Sequence, residues 1–194
     1  IPLRLVGSEM CIRDRVIKTG KVGSFLHVVT AEEANMLQRY AQDSRLGIPL
    51  LIGIDAIHGN ALVRGATVYP APMSMASTWN LDLVRRANEE TAIEMRATGS
   101  HWSFTPNIDI ARDPRWGRVG ETFGEDSYLV GEMGVATIDG LQQGDFTGPT
   151  KVIANAKHWV AGGDPINGIN LSPMDISIRT LRAVSYTHLR AHET

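Results

Sequence analysis

The sequence predicts an α/β fold on a parallel sheet, a partial (β/α)8 barrel comprising about its first four βα units, and three features carry that expectation. Short aliphatic runs alternate with segments of helical periodicity, the order that gives parallel strands covered by helices. The loops after the second and third runs, residues 59–79 and 106–125, are each about 20 residues long, against about 2 to 6 for an ordinary strand-to-helix loop. Long excursions at the C-terminal ends of strands build barrel active sites. Neither Gly-x-Gly-x-x-Gly nor Gly-x-x-x-x-Gly-Lys-Ser/Thr follows any run, which removes the main sign of a nucleotide-binding open sheet. A whole barrel takes about 250 residues, so the chain is expected to be part of a larger domain.

Residues 22–26 are the first short apolar run, and Thr30-Ala31-Glu32-Glu33 then has the Thr-x-x-Glu pattern of a capping box. In that device the hydroxyl and the carboxylate satisfy orphan N–H groups of a helix's first turn. Ala34, Leu37 and Ala41 follow at helical spacing, so a strand and its helix are expected. Residues 48–54 are almost continuously aliphatic after Gly47 and stop at Asp55, which is how a strand buried on both faces of a parallel sheet reads. A longer helix is expected from Asn80, with Leu81, Val84, Ala87, Thr91 and Met95 on one face, Arg86 paired with Glu90, and Gly99 at its end. Residues 102–104 are the third strand. Asp126 then caps a helix from Ser127 with Leu129, Met133, Ala136 and Gly140 inward and Gly144 beyond its end. Residues 151–156 are the fourth strand, ending in Lys157 and His158. Half a barrel is expected to leave sheet edges unpaired and an apolar face uncovered, so that the chain alone tends to self-associate.

Composition narrows the function classes. The chain has 194 residues, 43% hydrophobic and 21% charged, with a formal net charge of -2. Nucleic-acid binding wants a clustered basic surplus, and a membrane span wants about 20 consecutive apolar residues; neither partner is expected. Cys11 is the single cysteine, so no internal disulfide or thiolate metal site is possible. Residues 1–15 and 184–194 resemble translated sequencing-adapter read-through and are set aside, which leaves 16–183 as the folded unit and gives Cys11, His188 and His192 no functional weight.

The most informative stretch runs from Ala111 through Arg112, Asp113, Pro114, Arg115, Trp116 and Gly117 to Arg118, with Glu121 a turn later. Three arginines and two acids around an indole suit neither a core strand nor a solvated helix face. Guanidinium groups that donate in a fixed fork, carboxylates that accept and an aromatic plane suit a hydroxyl-rich ligand, while a surface ion-pair cluster tying down the loop is the plainer alternative. Asp55 and His58 follow strand two, Asn107, Asp109 and this cluster follow strand three, and Lys157 with His158 follow strand four. All converge on one barrel face. Duller roles are open for several of them: a cap for Asp55, a backbone anchor for His58, loop bracing for Arg112, Asp113 and Arg115, and packing for Trp79 and Trp159. A lysine at the inner end of a buried strand needs a polar partner or a ligand, which marks Lys157 as functional. Asp55-x-x-His58 lacks a His-x-His or His-Glu-x-x-His companion, and the nearby cations oppose a divalent ion, so no metal and no cofactor are expected.

These residues resemble a known family. Residues 45–51 leading into Gly53-Ile54-Asp55-Ala56-Ile57-His58-Gly59, then Ala111 to Arg118 with Glu121-Thr122-Phe123-Gly124-Glu125-Asp126, then Ala156-Lys157-His158, are similar to the N-terminal barrel of glycoside hydrolase family 3 on its β-glucosidase or exo-glucanase side. The family's β-N-acetylhexosaminidases carry Phe-Pro-Gly-His-Gly after Lys-His, whereas this chain has Trp159-Val160-Ala161-Gly162-Gly163-Asp164. The stretch 162–170 also departs from the commonest glucosidase form.

The resemblance implies a retaining, exo-acting enzyme that removes glucose from the non-reducing end of a β-linked glucoside or oligosaccharide. It implies that Asp55, Arg118, Lys157 and His158 bind the glycone hydroxyls, Asp55 accepting and the others donating, with Glu121 orienting the Arg118 guanidinium from behind. Retention uses a nucleophile and an acid/base about 5 to 5.5 Å apart. The family places both beyond the stretch seen here, so no catalytic carboxyl is assigned and the chain alone is expected to be inactive. Location is left unassigned, although the family includes periplasmic and secreted members. Residue chemistry alone also admits a Schiff-base lyase using Lys157, or a non-catalytic carbohydrate-binding fragment.

Overall fold

The computed structural model describes residues 14–144, 147–174 and 176–182. A helical turn, α1 (residues 14–18), precedes β1 (Ser24–Leu26) and α2 (Ala31–Gln42). Then come β2 (Leu51–Ile54), α3 (Pro72–Ala76), α4 (Leu81–Ala97), β3 (Trp102–Ser103), α5 (Ser127–Gln142), β4 (Ile153–Ala154) and α6 (Ile178–Thr180). The strands pair in sequence order, β1-β2-β3-β4, and every pairing is parallel. This is the expected α/β architecture, the first four βα units of the barrel.

Register decides where the chemistry can sit. Leu26 pairs with Gly53, Ile54 with Ser103, and Ser103 with Ala154. The four strand ends are therefore level to within one residue, and an isolated bridge between Asn107 and Lys157 carries the last pairing farther. Whatever follows Leu26, Ile54, Ser103 and Ala154 opens onto one rim.

The helix starts follow the sequence. Thr30, Asn80 and Asp126 accept from the backbone N–H groups of Glu33, Leu83 and Leu129, at 3.2, 3.0 and 2.7 Å, each satisfying a donor that the helix cannot. Gly99 ends α4 at a φ of 92°, a left-handed conformation that only glycine adopts freely. Apolar side chains gather in three groups around the sheet: Leu37, Ala41 and Ile52 on the β1–β2 side, Ile54, Ala92, Met95 and Leu141 in the middle, and Val84, Ile108, Val130 and Met133 toward the upper end of α4 and α5.

Four expectations change. The strands are shorter than their apolar runs, and Ile48 is exposed rather than inside. The loop 59–79 contains α3, which starts at Pro72, a residue whose missing N–H and preset φ suit a first helical position. The buried face of α4 is Val84, Asn88, Thr91, Ala92 and Met95, while Leu81 is exposed. Asn88 enters the core because its amide donates to Val84 O at 2.8 Å, which satisfies a polar group that apolar periodicity leaves out. The ion pairs of α4 run from Arg85 to Asp82 and Glu89 rather than from Arg86 to Glu90. Among the described residues, β1 and β4 each pair on one side only, and no helix is long and apolar enough to cross a membrane. Cys11, His188 and His192 lie outside the described residues.

Candidate functional site

Asp55 follows the last residue of β2 and its carboxylate is held from two sides. Lys157 Nζ donates to Oδ1 at 2.5 Å and His27 Nε2 lies 2.9 Å from Oδ2. Burial pushes the Asp55 carboxyl up, but the hydrogen bonds and charge of Lys157, with those of His27, outweigh it and leave the group below the ordinary carboxylate range. Lys157 reaches this point from beyond β4, so the contact bridges two strand ends that are 102 residues apart in sequence.

A second cluster begins at the next residue. His158 places Nδ1 2.7 Å from Asp109 Oδ2 and Nε2 3.2 Å from Arg118 Nη2. Arg118 Nε donates to Glu121, three residues on across the 3-10 turn Val119–Glu121. The Arg118 guanidinium also lies over the Trp116 ring, 5.8 Å from its centroid, and the indole Nε1 donates to Asn170 Oδ1 at 3.0 Å. Asp55, Lys157, His158 and Arg118 thus form one continuous chain of contacts, because residues 157 and 158 are neighbours. Glu121 and Asp109 stand behind it.

The remaining sequence candidates divide. His58 bonds Tyr69 O through Nδ1 at 2.9 Å and serves the loop backbone. Arg115 grips Asp113 with two side-chain bonds, at 3.0 and 2.7 Å, plus its own backbone N–H. Those bonds hold the Asp113 carboxyl at about 2. Arg112 pairs with Asp164 at 3.3 Å, so this trio braces the loop. Trp116 is 2% exposed and supports Arg118 from below instead of offering a face to solvent. Trp79 and Trp159 are 70% and 69% exposed, the reverse of the packing role expected for them. Among the described residues no group of His, Cys, Asp and Glu could hold a metal ion.

Sequence reasoning passed over His27 and gave Asp109 no role. The rule that selected Asp55, position immediately after a strand, selects His27 equally, since it follows Leu26. Asp109 carried no comparable signal, because only the fold shows that its side chain turns inward to meet His158.

Comparison with known proteins matches residues 10–191 to the glycosyl hydrolase family 3 N-terminal domain. A β-xylosidase of Formosa agariphila is 42% identical over 176 residues, covering 84% of this chain and 24% of the relative. A periplasmic β-glucosidase of Salmonella typhimurium is 35% identical over 167 residues, covering 86% of this chain and 21% of its own length. Among solved structures, a β-glucosidase involved in saponin metabolism from intestinal bacteria superposes with a TM-score of 0.87 at 37% identity, covering 93% of this chain and 24% of that one. A Listeria innocua β-glucosidase solved in complex with laminaribiose gives 0.80 at 36% identity, covering 87% and 23%. The chain therefore spans roughly a quarter of the length of these relatives. With the parallel sheet, the level strand ends and the matched length in agreement, the chain belongs to glycoside hydrolase family 3, within its N-terminal barrel domain.

Proposed function

We propose that this chain supplies the glycone-binding wall of a retaining, exo-acting β-glucosidase, with Asp55, Arg118, Lys157 and His158 contacting the hydroxyls of the non-reducing sugar. The observation that carries the reading is the unbroken contact chain from Asp55 through Lys157 and His158 to Arg118. Each member keeps capacity for a ligand. An ionised carboxylate has about four acceptor sites, and two of those on Asp55 are engaged by Lys157 and His27. Lys157 has three N–H donors and Arg118 five, of which the protein contacts above use one and two. Charge-assisted bonds from such groups are about twice as strong as neutral ones.

Binding is a better role for these acids than bond cleavage. A retaining mechanism needs two carboxyl groups about 5 to 5.5 Å apart with opposite duties, yet Asp55 is paired with Lys157 and His27, Asp109 with His158, and Glu121 with Arg118. A Schiff-base lysine needs cationic or apolar neighbours to free its amine, and the nearest group to Lys157 Nζ is a carboxylate. Treating residues 1–15 and 184–194 as read-through belongs to the same proposal, and resequencing the flanking DNA tests it.

A β-xyloside is the second reading, favoured by the Formosa agariphila relative. The full reading frame is expected to hydrolyse an aryl β-glucoside with retention, and faster than the matching xyloside. Lys157→Ala and Arg118→Ala should each lower kcat/KM about 10- to 100-fold, the loss expected when a hydrogen bond to a charged group is removed. Full activity in both variants would overturn the assignment, as would hydrolysis by the purified 194-residue chain.

A further inference from the structure

The ring of His158 is engaged at both nitrogens, and its partners determine where its proton lies. A guanidinium offers only donors, so the 3.2 Å contact from Arg118 Nη2 requires a lone pair on Nε2. On the other side, Asp109 Oδ2 already accepts from the His158 backbone N–H at 3.3 Å. That oxygen is an acceptor, so Nδ1, 2.7 Å away, is the donor. These partners suit a neutral imidazole that carries its proton on Nδ1.

Asp109 is built to stay in place. Its side chain is wholly buried, and its other oxygen, Oδ1, is buried with no hydrogen-bond partner. A Cβ at position 162 would stand 2.7 Å from that oxygen, so only glycine lets the following loop close over the carboxyl.

We propose that Asp109 is a positioning residue that holds His158 in the Nδ1-protonated form, so that Arg118 Nη2 and His158 Nε2 together read a single sugar hydroxyl, the first donating to it and the second accepting from it. This rests on the sugar-binding reading above and refines it, since His158 acts as an acceptor instead of the expected donor. A hydroxyl is the common group that both accepts and donates at one atom. On entering, it replaces the direct contact between Arg118 and His158 and satisfies both. Fluorine in its place accepts weakly and cannot donate, which leaves Nε2 unpaired.

The test uses the chain with 15N-labelled histidine, the His158 signals being assigned by their loss in His158→Gln. At pH 7.5 and without sugar, the expected spectrum shows a protonated Nδ1 and a bare Nε2. Asp109→Asn keeps an acceptor and should keep that tautomer, whereas Asp109→Leu removes the acceptor facing Nδ1 and should shift the proton toward Nε2, which breaks the Arg118 contact. In calorimetry, one of the monodeoxyfluoro glucoses should bind at least about tenfold more weakly than glucose, as loss of a buried partner implies, and Asp109→Leu should largely erase the difference. A proton on Nε2 in the wild type overturns the role of Asp109, and the wild-type and Asp109→Asn spectra decide this even if Asp109→Leu does not fold. Absent glucose binding with the Nδ1 proton in place overturns the hydroxyl reading and, with it, the sugar-binding proposal.

Discussion

Asp55 is the residue on which most of the site's electrostatics turns. Its carboxyl is held below the ordinary carboxylate range, about 3.9 in the unfolded chain, despite a burial effect that acts in the opposite direction. A group with a lowered folded value contributes stability that is fully present above the unfolded value and is lost as pH falls through the folded one. Asp55→Asn should therefore lower stability near pH 6 and approach the wild type as pH falls through the folded value, a convergence that urea melts at descending pH would show. An undiminished gap at low pH would mean that the effect is packing rather than charge. Asp113, gripped by Arg115 in the adjoining loop, should titrate by NMR near its value of about 2. Position after a strand brought Asp55, Lys157 and His158 to notice, the family resemblance joined Arg118 to them as a set, and Glu121 stood out by its spacing to Arg118. His27 was passed over and Asp109 was placed on the rim without a role, because their importance lies in which side chain they touch across the barrel, and that depends on strand register.

At the scale of elements, capping was the clearest signal. Thr30, Asn80 and Asp126 each begin a helix where the pattern of side-chain oxygen before an apolar stripe puts one. Asp126→Ala should cost about 1 kcal/mol, read as a lower urea midpoint with unchanged slope, and a loss below about 0.3 kcal/mol would show that α5 does not depend on its cap. Met133 on that helix is fully buried, so Met133→Ala should cost about 2 to 5 kcal/mol. Less legible were the ends of strands and the inner face of α4. The aliphatic run at residues 48–50 reads as strand although only Leu50 is buried and Ile48 lies exposed just before the ladder. Asn88 was hidden because its polarity is cancelled by a bond to its own helix, a possibility that periodicity of apolar residues does not register.

For the whole molecule, the sheet explains both the site and a liability. Parallel pairing in sequence order levels the strand ends, so residues separated by more than a hundred positions meet on one rim. The same order leaves the outer sides of β1 and β4 unpaired among the described residues, with Leu26 60% exposed. Exposed apolar edges pair with other chains, and a lysine on the edge opposes this. Sedimentation of the chain should show concentration-dependent association that Leu26→Lys reduces, and a monomer at every concentration would count against an open edge. On the proposal above, Asp55, Arg118, Lys157 and His158 make one mouth for one pyranose ring. Titrating glucose into the chain by calorimetry, with Asp55→Ala, Lys157→Ala and Arg118→Ala alongside, tests it most directly. One-site binding that each substitution weakens about tenfold or more is the predicted result, and binding indifferent to all three would contradict the account.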